Sequence, residues 1–555
     1  MSHYNIIIQG AGPVGRIAAL LGKKLGLDVI LIEKNKLDDY RSDAHYLNAY
    51  TLEILDWCGI NIQHLLKHAS PQEYSFSIAY GTRMDRLYFH KNLLDCDIIK
   101  KQYDNIGKFG AAKNIPLHYA MKELKDSLLK QKIPIMEMSQ IELIESNFCM
   151  VRDKTHLERI TFDYLISSDG ANSFIRKKIF PNTSKNHIMT FCNVAIKSNL
   201  SRIVEKPAQL NWVLNAKHPA CVVMHEINGK QNIQIPLLNE DDINHFKFKQ
   251  TIHDYCQSTL SDKDVELEIQ DWNIWKLSTH IVSKARYRNI FFLGDSAHAF
   301  TPAGGLGLNT GIHETAELIW KIREKMRYNY SIDIMSREKI NKKLLDKSIK
   351  NYEDFRRVSK LVWLHYDVIE SNKLLYKIYN HTKESKLFDI ANMAYSSLFP
   401  KIFDTNFFQK KFLRNIQHTL NHFNGLDEHL GVCQEDLTMD ISNIIDSEKT
   451  TDIQFKFPPK AGCIWFDSNI FNNNNELFYY GFEYGKWHVF SFIVEPNTKK
   501  IEFRGDVNAY RLNVDFFCKH PINKDVIIIR PDRIVEAAVS IDALKTEYHF
   551  LLKSL

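Results

Sequence analysis

Two glycine-rich turns, each fed by a short apolar run and each leading into helical periodicity, hold the residues best suited to chemistry. Near the N-terminus, Tyr4 to Gln9 runs into Gly10, Gly12 and Gly15, with Pro13 and Val14 between them, and a second apolar run, Val29 to Ile32, ends in Glu33 and Lys34. Much later, Asn289 to Leu293 runs into Gly294, Asp295 and a turn containing Pro302, Gly304, Gly305, Gly307, Leu308 and Asn309. After Asn309 and Gly311 the apolar spacing becomes helical through Ile312, Thr315, Ala316, Ile319 and Ile322. A strand, a glycine turn and a helix start together aim free backbone N–H groups at an anion. The first signature has a physical reason for each of its parts, with one glycine for the turn, one for close approach of a pyrophosphate, one for helix packing, and an acid for a ribose diol. An ordinary strand-to-helix loop is the competing reading, and the strand and helix context on both sides favours the dinucleotide.

Those turns require a parallel α/β scaffold, and the rest of the chain can be read around it. Thr51 to Gly59 reads as an amphipathic helix with a glycine stop, and His118 to Lys130 as a helix with Met121, Leu124 and Leu128 on one face. Phe162 to Ile166 is another apolar strand, followed by a turn at Asp169 and Gly170, with Ser173 and Arg176 on the next helix. An acid bonded to turn amides and an arginine paired with it would serve that turn structurally. Ser75 to Tyr80, Arg86 to Phe89 and the short alternating runs between Met189 and Val282 predict a second, mostly antiparallel sheet. Residues from Trp320 to Asn415 are expected to be largely helical. A third unit from Gly425 to Leu555 has strand-like runs at Cys463 to Phe466, Lys486 to Phe492, Lys500 to Phe503 and Val526 to Ile529.

The three signatures, in this order, resemble those of the FAD-dependent aromatic hydroxylases that share the para-hydroxybenzoate hydroxylase fold. The GxGxxG, the DGANSFIR run from Asp169 to Arg176 and the GDSAHAFTPAGGLGLNTG run from Gly294 to Gly311 carry the resemblance. IIIRPDRIV at Ile527 to Val535 is similar to the RPDxxV segment of phenol and hydroxyphenylpropionate hydroxylases. The resemblance implies an α/β fold: a Rossmann-like, glutathione reductase-like FAD-binding domain, an interleaved antiparallel substrate sheet, a helical segment and a C-terminal thioredoxin-like domain without redox chemistry. The FAD-binding domain is expected at 1–75, 112–188 and 283–365, the substrate domain at 76–111 and 189–282, the helical segment and linker at 366–424, and the thioredoxin-like domain at 425–555.

It also implies a reaction. FAD, reduced by NADH or NADPH, would take up O2 at its C4a carbon and pass one oxygen atom to an aromatic, phenolic ring. Gly10, Gly12, Pro13, Val14, Gly15, Glu33 and Lys34 would hold the adenosine end, Asp169, Gly294 and Asp295 the ribitol, and Pro302, Gly305, Gly307, Leu308 and Asn309 the flavin ring. His118 falls where the family has a glutamine near the flavin phosphates or ribitol. Two family arginines are replaced by Asp43 and Tyr50, so Arg41 is expected to compensate and Tyr50→Arg to tighten FAD binding. His45 matches an acid that meets the substrate hydroxyl in phenol hydroxylase, and an imidazole can accept and return that proton. Met224, His225 and Gln234 are candidates for the substrate wall, although period two does not say which face is wet. Rival readings are a flavin oxidoreductase acting on a polyketide, quinone or other non-aromatic ring, a halogenase, for which WNIWKL is a poor match, and a binding protein of this fold that has lost flavin.

Composition excludes other classes. The net charge of +6 is small for 555 residues and basic groups are dispersed among acids, so no nucleic-acid footprint is read. No run of eighteen apolar residues occurs, which argues against transmembrane anchoring. Nine cysteines without a CxxC pair or metal-ligand spacing point to reduced thiols, no metal and a cytoplasmic protein. The apolar helical spacing and the terminal unit suggest a homodimer.

Overall fold

The computed structural model describes residues 2–38, 44–92, 108–110, 112–215, 218–237, 240–261, 265–302, 305–330, 332, 338–339, 341–346, 348–349, 484–491, 507–511, 526–533 and 535–552. Arg41, Asp43, Gly304, the helical segment 366–424 and the predicted strands at 463–466 and 500–503 lie outside the described residues.

In chain order the first elements are β1 (Ser2–Gln9), α1 (Pro13–Lys24), β2 (Val29–Ile32), β3 (Tyr46–Leu47), α2 (Ala49–Trp57), β4 (Ser77–Arg83) and β5 (Arg86–Asn92). Next come β6 (Lys113–Asn114), α3 (Leu117–Lys130), β7 (Ile135–Met136), β8 (Gln140–Ile144), β9 (Phe148–Arg152), β10 (Leu157–Ser167) and α4 (Phe174–Ile179). The middle of the chain gives β11 (Asn186–Ser198), β12 (Leu210–Val213), β13 (Ala220–Met224), β14 (Lys230–Leu237), α5 (Lys249–Leu260) and β15 (Leu267–Ile281). Then follow β16 (Arg286–Tyr287), β17 (Ile290–Phe292), β18 (His298–Ala299) and α6 (Leu306–Tyr328). The C-terminal part holds β19 (Trp487–Ser491), β20 (Val507–Arg511), β21 (Val526–Ile529), β22 (Val535–Val539) and α7 (Ile541–Thr546).

The first sheet has the order β16-β17-β10-β1-β2-β7, with β8 and β9 as an antiparallel flap on β10. β17, β10, β1, β2 and β7 run parallel, so each central strand is covered on both faces and reads as a continuous apolar run. The VILI of β2 is buried at every position for that reason. Parallel pairing places the carboxyl ends of β1, β10 and β17 side by side, and all three chemical turns leave from that edge.

The second sheet has the order β18-β15-β11-β14-β13-β12-β4-β5 and is antiparallel except at β12 and β4. One face is dry: Val194, Val222, Met224, Ile233 and Ile235 pack against Ile252, Cys256 and Leu260 of α5. Register fixes the other face. Asn193, Gln234, Cys221, Trp212 and Tyr80 are successive cross-strand partners and form one row.

Two helices differ from expectation. α2 is buried nearly all round, Tyr50 and Glu53 included, because the C-terminal residues cover the side predicted to face water. α6 begins at Leu306, ahead of the apolar periodicity, because Gly305 in the left-handed conformation (φ 62°) turns the chain directly into it.

A third sheet, β20-β19-β21-β22, packs into the first core through Trp487, Val489, Val526 and Ile528. Trp487 meets Trp320 of α6 edge-on, with ring centroids 5.4 Å apart, and Tyr484 donates to the Ala316 carbonyl at 2.8 Å. The RPDR segment is bolted to α2: Tyr50 donates to the Asp532 carbonyl and Arg533 pairs with Glu53. Arg533 and Glu53 are 4% and 2% exposed, so neither charge is solvated by water. Glu53→Ala is therefore expected to destabilise the protein by about 3–5 kcal/mol, since it removes the carboxylate that pairs with a buried guanidinium. Denaturant unfolding of this variant, of Arg533→Met and of the double variant checks this; additive losses would contradict the coupling.

Candidate functional site

Gly10, Gly12 and Gly15 are glycines for three different reasons. At Gly10 (φ +102°) an added Cβ would lie 2.4 Å from the Ser168 carbonyl, because the turn after β10 passes against it. At Gly15 a Cβ would lie 1.9 Å from the Gly10 carbonyl, so the third glycine lets α1 start on top of the turn. At Gly12 a Cβ meets nothing within 4 Å. That glycine faces open space, as expected where a pyrophosphate approaches the backbone. Gly12 is also the N-cap of α1 and supplies no side-chain acceptor, so the helix start keeps its donors for an anion. Pro13 occupies the first turn, where its missing N–H costs nothing.

Glu33 stands at the end of β2 and accepts the Ala11 N–H at 2.6 Å and the Asn35 N–H at 3.0 Å. Its half-exposed carboxylate therefore borders the glycine turn, and Lys34 beside it is exposed. Val14 points the other way: its Cγ2 would lie 2.9 Å from a Cβ at Gly311 and 3.1 Å from one at Gly294. It packs α1 against the second glycine turn and does not face the opening.

Asp169 is committed locally. It accepts the Phe174 N–H at 2.8 Å and the Ser167 hydroxyl at 2.6 Å, which makes it a clamp on the start of α4. Arg176 does not pair with it. The guanidinium is buried and donates to the carbonyls of Ala171, Asp295 (3.1 Å) and Ser296 (3.0 Å) and to His280 Nε2 (2.9 Å). Arg176 thereby ties the Asp169 turn to the Asp295 turn, and burial beside it lowers the His280 imidazole to about 4. The Asp295 carboxyl, walled by protein yet open to solvent on one side, is pushed above the usual aspartate range by burial. Its turn is pinned by Glu314, which accepts the Gly294 N–H at 3.1 Å and pairs with the buried His298 at 2.9 Å.

The start of α6 has Gly305 as its N-cap, no side-chain cap and no acid in its first turn. Gly307 there also faces open space, with nothing within 4 Å of a Cβ. Pro302 is exposed and accepts the Gly305 N–H at 3.0 Å, which closes the turn, while Leu308 is half-buried against the first core. The Asn309 side chain is buried, and its amide is used internally. Oδ1 accepts the Asn48 N–H (3.0 Å) and the Thr51 hydroxyl (2.7 Å), and Nδ2 donates to the carbonyls of Tyr46 (3.0 Å) and Gly305 (2.8 Å). Asn309 therefore positions the segment carrying His45.

His45 is half-buried beside His225, their rings edge-on with centroids 5.0 Å apart. Its carbonyl accepts the Ile115 N–H at 2.6 Å, and the Ala44 carbonyl accepts the Leu117 N–H, which sets His45 beside the start of α3. There His118 is exposed and packs on Tyr119. Gln234, two and four residues along one strand from Asn232 and Lys230, is on the face that His45 and α3 approach. Met224 is not: fully buried on the opposite face, it belongs to the core under α5, which corrects its expected place in the substrate wall.

Tyr50 is also corrected. Its ring packs on His313 (4.7 Å) and its hydroxyl reaches Asp532, so arginine there would bury a charge in the core. Tyr50→Arg is now expected to lower the unfolding midpoint, measured calorimetrically, rather than to tighten FAD binding. Arg16 was not singled out from the sequence. It is buried at the start of α1 and donates to the carbonyls of Ala11, Leu37 and Met121 at 2.8, 2.6 and 2.8 Å. A charged residue directly after the third glycine, at a position the helix buries, is the signal for it.

Residues 3–329 match the family described as FAD binding domain, and the chain belongs to that family. It is 20% identical over 389 residues to 2,4-dichlorophenol 6-monooxygenase of Delftia acidovorans, covering 63% of each chain. It is 23% identical over 350 residues to phenol 2-monooxygenase of a Pseudomonas species, covering 57% of this chain and 53% of that one. The chain thus spans between half and two thirds of the length of these curated relatives. The structure of the flavin-dependent monooxygenase PieE, in complex with FAD and substrate, superposes with a TM-score of 0.69 at 15% identity, over 97% of this chain and 96% of that one, and shows the shared fold.

The residues present fit FAD. Two uncapped helix starts, at Gly12 and Gly305, leave the two openings that glycine preserves at Gly12 and Gly307. The carboxylates of Glu33 and Asp295 flank them. Among the described residues no cluster of metal ligands occurs and no helix is long and apolar enough to cross a membrane.

Proposed function

We propose that this protein is an FAD-dependent monooxygenase that uses NADH or NADPH and O2 to hydroxylate an aromatic, phenolic compound. The observation that carries the reading is the position of His45: Asn309, in the first turn of α6, fixes its segment, and His225 of the second sheet packs against it. Bound FAD would supply the chemistry, accepting hydride from the nicotinamide and delivering one oxygen atom to the ring. Gly12 and Glu33 would hold its adenosine half, Asp295 its ribitol, and the uncapped N–H groups of α6 would meet negative charge on the flavin ring. His45 would take the phenolic proton and make the ring a stronger nucleophile. Gln234 and the row Asn193, Cys221, Trp212 and Tyr80 would form the wall that excludes water.

The C-terminal unit fits a thioredoxin-like domain: β19 and β20 are parallel, β21 and β22 antiparallel, and α7 follows. Its bolts to α2 and α6 support a structural part in the enzyme, and a homodimer remains the expected assembly. The free buried thiols at Cys58, Cys149, Cys192, Cys221 and Cys256 suit a reducing, cytoplasmic location. Screening small phenols, hydroxylated carboxylic acids and polycyclic phenols tests the function. A substrate should accelerate NAD(P)H oxidation and yield hydroxylated product in matching amount; oxidation that yields only hydrogen peroxide with every compound would refute hydroxylation.

A further inference from the structure

Around His45 and the start of α3 lies a concentration of basic side chains. His225 follows β13, Lys230 begins β14, His118 and Tyr119 occupy the first turn of α3, and His45 closes the group. Lys230 Nζ stands over the Tyr119 ring at 5.6 Å, and His68 stacks on that ring with centroids 3.8 Å apart. The nearby acids are turned elsewhere. Glu123 is engaged by His64 at 2.9 Å, and Glu226 folds against its own hairpin, where its Oε2 would lie 2.0 Å from a Cβ at Gly229. His225 is 7% exposed and its Nδ1 has no hydrogen-bond partner among the described residues. A buried ring nitrogen left so is unfavourable, and a ligand that bonds to it would recover that loss. Lys230 and His118 are exposed at the rim, so the cluster grades from the solvated Lys230 ammonium to a buried, unpaired imidazole.

We propose that Lys230, His118 and His225 form an oxyanion subsite, and that it receives the carboxylate of a hydroxylated aromatic acid while the hydroxyl of the same ring meets His45. This rests on the monooxygenase reading and narrows its substrate class. Burial, then the neighbouring His45, His118 and Lys230, hold the His225 imidazole well below its ordinary range, and burial and Lys230 lower that of His118. Basic groups so crowded disfavour one another's charged forms until an anion joins them. A phosphate of the nicotinamide dinucleotide has the same chemistry and is the other source.

Isothermal titration of the FAD-loaded, full-length protein distinguishes them and needs no turnover, so failure of the subsite leaves the hydroxylase reading standing. The probes are 2-, 3- and 4-hydroxybenzoate, the matching hydroxybenzamides, NADPH and NADH. At least one acid is expected to bind about tenfold more tightly than its amide, a preference that Lys230→Met and His225→Gln reduce below about twofold. Lys230 is exposed, so its variant should fold even if His225→Gln does not. Loss of a preference for NADPH over NADH in these variants, with acids and amides equal, would keep the oxyanion subsite and assign it to the nucleotide, overturning the aromatic acid. If neither preference exists, or if both survive Lys230→Met, the subsite is overturned.

Discussion

Gly12→Val is expected to lose FAD while the flavin-free protein stays as stable as the parent. The backbone at Gly12 is extended (φ −67°, ψ −178°), a conformation valine adopts readily, and no protein atom stands within 4 Å of the added Cβ. The new side chain should therefore fill the opening in which the pyrophosphate is expected and leave the fold untouched. Affinity should fall by at least roughly 100-fold, or about 2.7 kcal/mol, with stability changed by less than about 0.5 kcal/mol. Gly15→Val should behave differently: its Cβ would collide with the Gly10 carbonyl, so stability and FAD binding fail together. Flavin absorbance after desalting and calorimetric unfolding of both variants read the contrast. A Gly12→Val protein that keeps its flavin would place the cofactor elsewhere.

His45→Ala is expected to slow substrate hydroxylation by roughly 10²–10⁴-fold, the range for a general base, and to raise hydrogen peroxide release per NAD(P)H consumed. FAD should stay bound, because the His45 segment is held without the imidazole. Asn309 fixes Tyr46 and Asn48, and the His45 carbonyl, which alanine retains, accepts the Ile115 N–H. Single-turnover oxidation of the reduced protein separates this step from nicotinamide binding. A change below about threefold would assign the ring to packing against His225.

The nucleotide scaffold was legible because glycine turns have few physical causes. Gly10 and Gly15, read as turn and packing positions, make room for Ser168 and for the Gly10 carbonyl, and Gly12, read as the approach position, faces open space. What could not be read was direction. Met224 and Gln234 are equally good wall candidates by type, and register against Gln231 and Asn193 puts one in the core and the other on the open face. Tyr50 looked like a lost arginine near the cofactor because sequence shows the substitution and not its partner, Asp532, far along the chain. Asn309 and Asp169 stand in the first turn of α6 and the turn after β10, and their side chains are spent on Asn48, Tyr46 and the α4 start. Lys230 carried no signal of its own; its interest comes from His225 and His118, which folding brings to it.

The most direct test of the hydroxylase reading is a turnover under ¹⁸O₂ with FAD-loaded protein, NAD(P)H and a compound that the screen identifies. Mass spectrometry should find one ¹⁸O atom in each hydroxylated product, with product matching nicotinamide consumed. Hydroxyl oxygen derived from water, or product formed by protein stripped of FAD, would contradict it.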